Sequence, residues 1–183
     1  MTESNPSWME KVEKMAEEVA SREGCILYDI EFVGAGKGRT LRVYIDKEST
    51  PAVTENEEPK GAGIDDCSNV SKALNLMLDV DDIIPGGAYN LEVSTPGLDR
   101  WLRRPWHFEK VIGKKIWVKT RGAFESYGVS DKKWKAAKQI EDVLMAFDGE
   151  NLNFHAKDVD VKIPLSAIEK SKVVFEMTKG QKK

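Results

Sequence analysis

Between Asp99 and Arg121 the chain carries eight basic residues, Arg100, Arg103, Arg104, Lys110, Lys114, Lys115, Lys119 and Arg121, against two acids, Asp99 and Glu109. Guanidinium and ammonium groups at this density neutralise phosphates. Trp101, Trp106, Phe108 and Trp117 are interleaved with them, and aromatic faces can stack on unpaired bases. The basic set is read as facing a polyanion. The aromatics are read as packing at a seam between two halves of the chain.

Other residues with chemical potential carry less. GAGKGR (34–39) contains the glycines and lysine of a phosphate cradle, but a P-loop needs a following Ser or Thr and a helix. Here the glycines join strand-like segments on both sides and no such helix follows, so a hairpin turn is expected. Asp79, Asp81 and Asp82 are oxygen ligands in principle. An EF-hand counted from Asp79 would put Ile84 and Asn90 where it needs glycine and an acid. The three are read as a solvated helix end and as candidates for a basic protein partner. His107 and His155 have no adjacent nucleophile or carboxylate, and Cys25 and Cys67 make no CxxC pair. No catalytic residue, metal site or cofactor is expected, and the cysteines are read as reduced core thiols.

Local patterns supply the elements that position these groups. Ser7 and Glu10 have capping-box spacing; Trp8, Val12, Met15, Ala16 and Val19 recur at helical intervals, and Gly24 is placed as a left-handed cap. Tyr28, Ile30 and Phe32, then Leu41, Val43 and Ile45, alternate as a strand pair. Residues 47–63 are polar and rich in Pro and Gly, and are read as a mobile loop. Asp65 or Asp66 is expected to cap a second helix with Cys67, Val70, Ala73, Leu74, Met77 and Leu78 as its apolar stripe. Leu91 and Val93 mark a third strand. Pro96-Gly97 then suits a type II turn.

Beyond it, Pro105 fits the start of a short helical turn ended by Gly113, and 114–120 alternates as a strand. Residues 121–137 are irregular, three strand-like runs follow between 140 and 163, Pro164–Ile168 reads as one helical turn, and Lys172–Met177 reads as the last strand. The tail from 178 is expected to fray. The fold class is therefore α+β: an N-terminal α-β-β-α-β domain (1–97) and a C-terminal small antiparallel β-barrel (98–183). Five short strands favour a barrel because closure removes edges.

Charge divides at the same place. Residues 1–97 hold 9 Lys+Arg and 19 Asp+Glu, and residues 98–183 hold 19 and 12. The second domain suits a polyanion and the first does not. No apolar run approaches a membrane span, and no secretory leader is visible in the first residues, so a cytoplasmic, monomeric protein is expected.

The stretch LEVSTPGLDRWLRRPWHFEKVIGKKIWVKT, together with VYID and IDDCSNVSKALNLMLD, resembles the RimP family of ribosome maturation factors. The resemblance covers most of the chain. It implies a KH-like N-terminal domain and an Sm-like or SH3-like C-terminal barrel. It also implies a non-enzymatic factor that binds the free small ribosomal subunit, through rRNA and a ribosomal protein, late in assembly around the decoding centre. Pro96, Gly97, Leu98, Asp99 and Arg100 match the family's marker as a domain joint. Thr95 stands where the family usually has serine, and Trp101 where it usually has proline. Two other readings compete: a stand-alone Sm-like RNA-binding regulator, and a phosphate-ester enzyme built on GAGKGR and the aspartates.

Overall fold

Ser7 accepts a hydrogen bond on its hydroxyl from the Glu10 N–H at 3.2 Å, while the Glu10 carboxylate accepts from the Ser7 N–H. This box starts α1 (Trp8–Arg22), whose Val12, Ala16, Val19 and Ala20 are buried. In the computed structural model, which describes residues 7–48 and 61–175, the chain divides into two compact units, 1–96 and 97–183.

In the first unit, β1 (Ile26–Val33) and β2 (Thr40–Asp46) form an antiparallel hairpin. The GAGKGR segment is its turn, with a 3-10 turn at Gly36–Gly38. Gly34 has φ +86°, and a Cβ there would lie 2.2 Å from the Gly38 carbonyl oxygen. The glycines thus serve backbone geometry. β3 (Asn90–Ser94) pairs in parallel with β2, so the order is β1-β2-β3. Parallel neighbours require a crossover, supplied by α2 (Ile64–Asp81). Leu41, Val43 and Ile45 from β2 and Val70, Leu74 and Leu78 from α2 share one buried core with the α1 residues. Burying such side chains stabilises by about 1.5–3 kcal/mol each.

Two local expectations change. The cap of α2 is Gly63, not Asp65 or Asp66; Asp66 sits one turn in and accepts the Gly63 N–H at 2.8 Å. That bond, followed by the hydrogen bond from Lys47, holds its carboxyl below the ordinary range. In β1 the pairing shifts between Leu27 and Asp29, so Leu27 faces Ile45 and Ile30 faces Val43. The strict alternation Tyr28, Ile30, Phe32 is broken by this bulge, and Asp29 is buried. Most of the loop read at 47–63 (residues 49–60) and the tail from 176 lie outside the described residues.

The second unit begins with α3 (Pro105–Glu109), followed by β4 (Lys115–Thr120), β5 (Gln139–Phe147), β6 (Asn151–Ala156), β7 (Val159–Pro164) and β8 (Ile168–Val173). The expected barrel is not closed: the strands form one antiparallel sheet in the order β7-β6-β5-β4-β8, with β7 and β8 at its two edges. Pro164 ends β7, and a proline nitrogen has no N–H to extend a ladder. A 3-10 turn, Leu165–Ala167, then carries the chain to the opposite edge. The last strand also falls earlier than the expected Lys172–Met177, of which 176 and 177 are not described. Ile116 and Val118, Ile140 and Leu144, Leu152 and Phe154, and Val161 and Ile163 point into a core closed by Phe108 and Phe124. Within the irregular stretch 121–137, Trp134 stacks near Phe124 at 6.4 Å between ring centroids.

Candidate nucleic-acid interface

The basic run splits into two groups by the elements that carry it. The first begins at the joint, where Gly97 adopts φ +73°, the left-handed value a type II turn asks of its second central residue. Leu98 behind it is exposed. Asp99 pairs with Lys172 at 3.6 Å and accepts the Phe175 N–H at 3.2 Å. Arg100 turns back, donating from Nε to the Gly97 carbonyl at 3.1 Å. Arg103 is exposed, and Arg104 is the cap residue of α3. Lys110, one residue past that helix, lies 5.0 Å over the Trp106 ring.

His107 is what shapes this segment. Its ring is buried, and its Nδ1 accepts the backbone N–H groups of Arg103 at 3.0 Å and Arg104 at 3.3 Å. It does for α3 what a glutamate does in a capping box. His107 is therefore a structural acceptor at Nδ1. Its role escaped sequence reasoning because histidine is not a usual residue at that position.

The second group is a strand face. In β4, Ile116, Val118 and Thr120 point inward, which turns Lys115, Trp117 and Lys119 outward. The register with β8 places Lys172 opposite Trp117 and Lys170 opposite Lys119. Neither of those lysines was singled out from the sequence, although the alternation Lys170-Ser171-Lys172 carried the signal. Lys119 pairs with Glu169 at 2.9 Å and Lys115 with Glu141 at 3.3 Å. The Lys119 ammonium holds the Glu169 carboxyl below its ordinary range. Arg121, exposed just past β4, donates to the Ser166 carbonyl at 3.4 Å, and Lys114 is exposed just before β4.

Trp101 joins this sheet. It forms an antiparallel bridge with Lys172, flanked by Leu102 N–H donating to Ser171 O at 2.8 Å and Val173 N–H donating to Arg100 O at 3.0 Å. Residues 100–102 thus pair alongside β8 on the side away from β4. The bridge does not use the Trp101 amide, so the proline usual at this place in the RimP resemblance would fit the same ladder. Rigidity here comes from the pairing as well as from any ring.

The aspartates belong to the other unit. Asp79 and Asp81 lie in the last turn of α2, where Asn75 donates to Asp79 at 2.9 Å, and Asp82 caps the helix with φ +42°. All three are exposed. Among the described residues no three His, Cys, Asp or Glu side chains form a group able to hold a metal ion, and no helix is long and apolar enough to cross a membrane. The family model described as the RimP N-terminal domain matches residues 15–99.

Proposed function

The chain belongs to the RimP family by the match of the RimP N-terminal domain model to residues 15–99, and from that premise we propose that it is a non-catalytic ribosome maturation factor that binds the free small ribosomal subunit and assists its late assembly around the decoding centre. The observation that carries the reading is the family match over the N-terminal domain. The basic residues Arg100, Arg103, Arg104, Lys110, Lys114, Lys115, Lys119 and Arg121 are the proposed rRNA contacts. Lysine and arginine release counterions from RNA without base recognition, which suits a factor that grips structure. Asp79, Asp81 and Asp82 are proposed to meet a basic ribosomal protein of that subunit. The protein acts in the cytoplasm as a monomer, without cofactor or chemical step.

The test is co-sedimentation with purified small subunits, joined ribosomes and bare RNA across a salt series, repeated with Arg100, Arg103 and Arg104 changed to alanine. Retention on free small subunits alone is expected. In the variant the log–log salt slope should be shallower by about 2, since each phosphate contact contributes roughly 0.7–0.9. Retention only on bare RNA would replace this reading with that of a stand-alone RNA-binding regulator.

A further inference from the structure

The register of β4 with β8 gathers an aromatic and cationic face that no single stretch of sequence contains. Directly paired residues on neighbouring strands project to the same side of a sheet. Trp101, Lys172, Trp117 and Glu141 therefore form one outward row across the segment 100–102, β8, β4 and β5. The next row along β4 is Lys170, Lys119 and Gln139. Trp117 sits between Lys115 and Lys119 on its own strand and beside Lys172 on the next, so lysines border the indole on three sides. It is half-buried and lies outside the hydrophobic core of its unit, whose β4 members are Ile116 and Val118.

We propose that this outward face of β4 and β8 is a stacking platform for single-stranded RNA, with Trp117 taking an unpaired base and Lys119, Lys170 and Lys172 taking the flanking phosphates. The chemistry follows from the parts. An indole offers a flat face of about the size of a base, and such stacking contributes roughly 1–3 kcal/mol per base without sequence preference. A duplex hides its base faces and can use only the lysines. The acids on this face do not oppose the assignment. Glu169, Glu141 and Asp99 pair with Lys119, Lys115 and Lys172 at 2.9, 3.3 and 3.6 Å. Exposed pairs of this kind contribute little and are screened by salt, so an arriving phosphate can replace a carboxylate. An RNA lying here would be held through both an apolar and an ionic component, and only the second would decline with salt.

The proposal rests on the rRNA-binding reading above and deepens it: Lys119 is common to both, and Trp117, Lys170 and Lys172 are added to it. The test uses the full chain, a fluorescein-labelled unstructured oligouridine of about ten nucleotides, and an RNA duplex of the same length, in low salt. Wild type should bind the single strand more tightly than the duplex. Trp117→Ala should weaken single-strand binding by about 5- to 150-fold, the equivalent of one stacked base, and leave duplex binding unchanged. Trp117→Phe should stay close to wild type. Trp117→Leu keeps an apolar strand residue without the π face, and it serves the same purpose should the alanine variant fail to fold. Equal loss on both probes, no loss with leucine, or no preference of wild type for the single strand overturns the platform. Sedimentation of the same variants with small subunits separates the two readings. Wild type retained on subunits without a Trp117 effect on the oligonucleotide leaves the function and removes the platform. Trp117-dependent oligonucleotide binding without subunit retention does the reverse.

Discussion

Asp148 accepts hydrogen bonds from the N–H groups of Glu150 at 3.0 Å and Asn151 at 2.6 Å, with the Asn151 amide and Lys162 beside it. These donors, the two backbone groups foremost, pull its carboxyl down from 3.8 to about 2. A carboxylate depressed in the folded state stabilises above its unfolded value, and that contribution fades as pH falls toward the folded one. Wild type should therefore melt above Asp148→Asn near pH 5, and the gap should close between about pH 4 and pH 2. A gap that stays constant over that range would mean the carboxylate charge is not what the turn uses. At Trp101 the ladder bonds come from Leu102 and Val173, and the bridge already holds extended backbone, as a residue near proline requires. Trp101→Pro should accordingly shift unfolding free energy by less than about 1 kcal/mol in urea melts. A larger loss would show that the indole, not the strand, secures this position.

At the scale of elements, the edge formed by residues 100–102 depends on one buried serine. Ser171 is almost fully buried, and its hydroxyl donates to the Leu102 carbonyl at 2.7 Å while its own carbonyl accepts the Leu102 N–H at 2.8 Å. Ser171→Ala should cost about 1–2 kcal/mol, read from the urea midpoint at unchanged slope. The same serine explains why the last strand was misplaced from sequence. A polar residue in an inward position hides the period of Ile168–Val173, whereas the apolar run Val173-Val174-Phe175 draws attention a few residues later. Features set within one turn of chain were legible: the Ser7–Glu10 box, the α1 and α2 stripes, the glycines of the β1–β2 turn. Features set by partners far along the chain were not. The bulge after Leu27 depends on β2, the open edges depend on which strands pair, and the lysines bordering Trp117 arrive from β8. The basic run was visible, but its division into a joint segment capped by His107 and a strand face needed the register.

Across the whole molecule, the charge asymmetry follows the two units. Residues 1–97 carry 9 basic and 19 acidic side chains, and residues 98–183 carry 19 and 12. Long-range fields of opposite sign affect encounter rates more than final affinity. Asp81→Asn with Asp82→Asn should slow association with small subunits at low salt by several-fold and have little effect at high salt, as stopped-flow mixing would show. Asparagine accepts the left-handed backbone at position 82, so the helix end is preserved. An unchanged on-rate would detach the acidic unit from recognition.

The pairing of residues 100–102 with β8 also sets an order of events at the ribosome that makes the protein. Leu102 and Ser171 are 69 residues apart in the chain, and β4 waits for the same last strand. The first unit has all its described elements in hand once residue 94 has been added. Its partner cannot complete its sheet until residue 173 has been added, and only then is its opening segment held. Domains emerging from synthesis fold in turn, N-terminal first. Residues 100–102 are therefore made long before the strand that holds them, and they take their paired form only once β8 has followed.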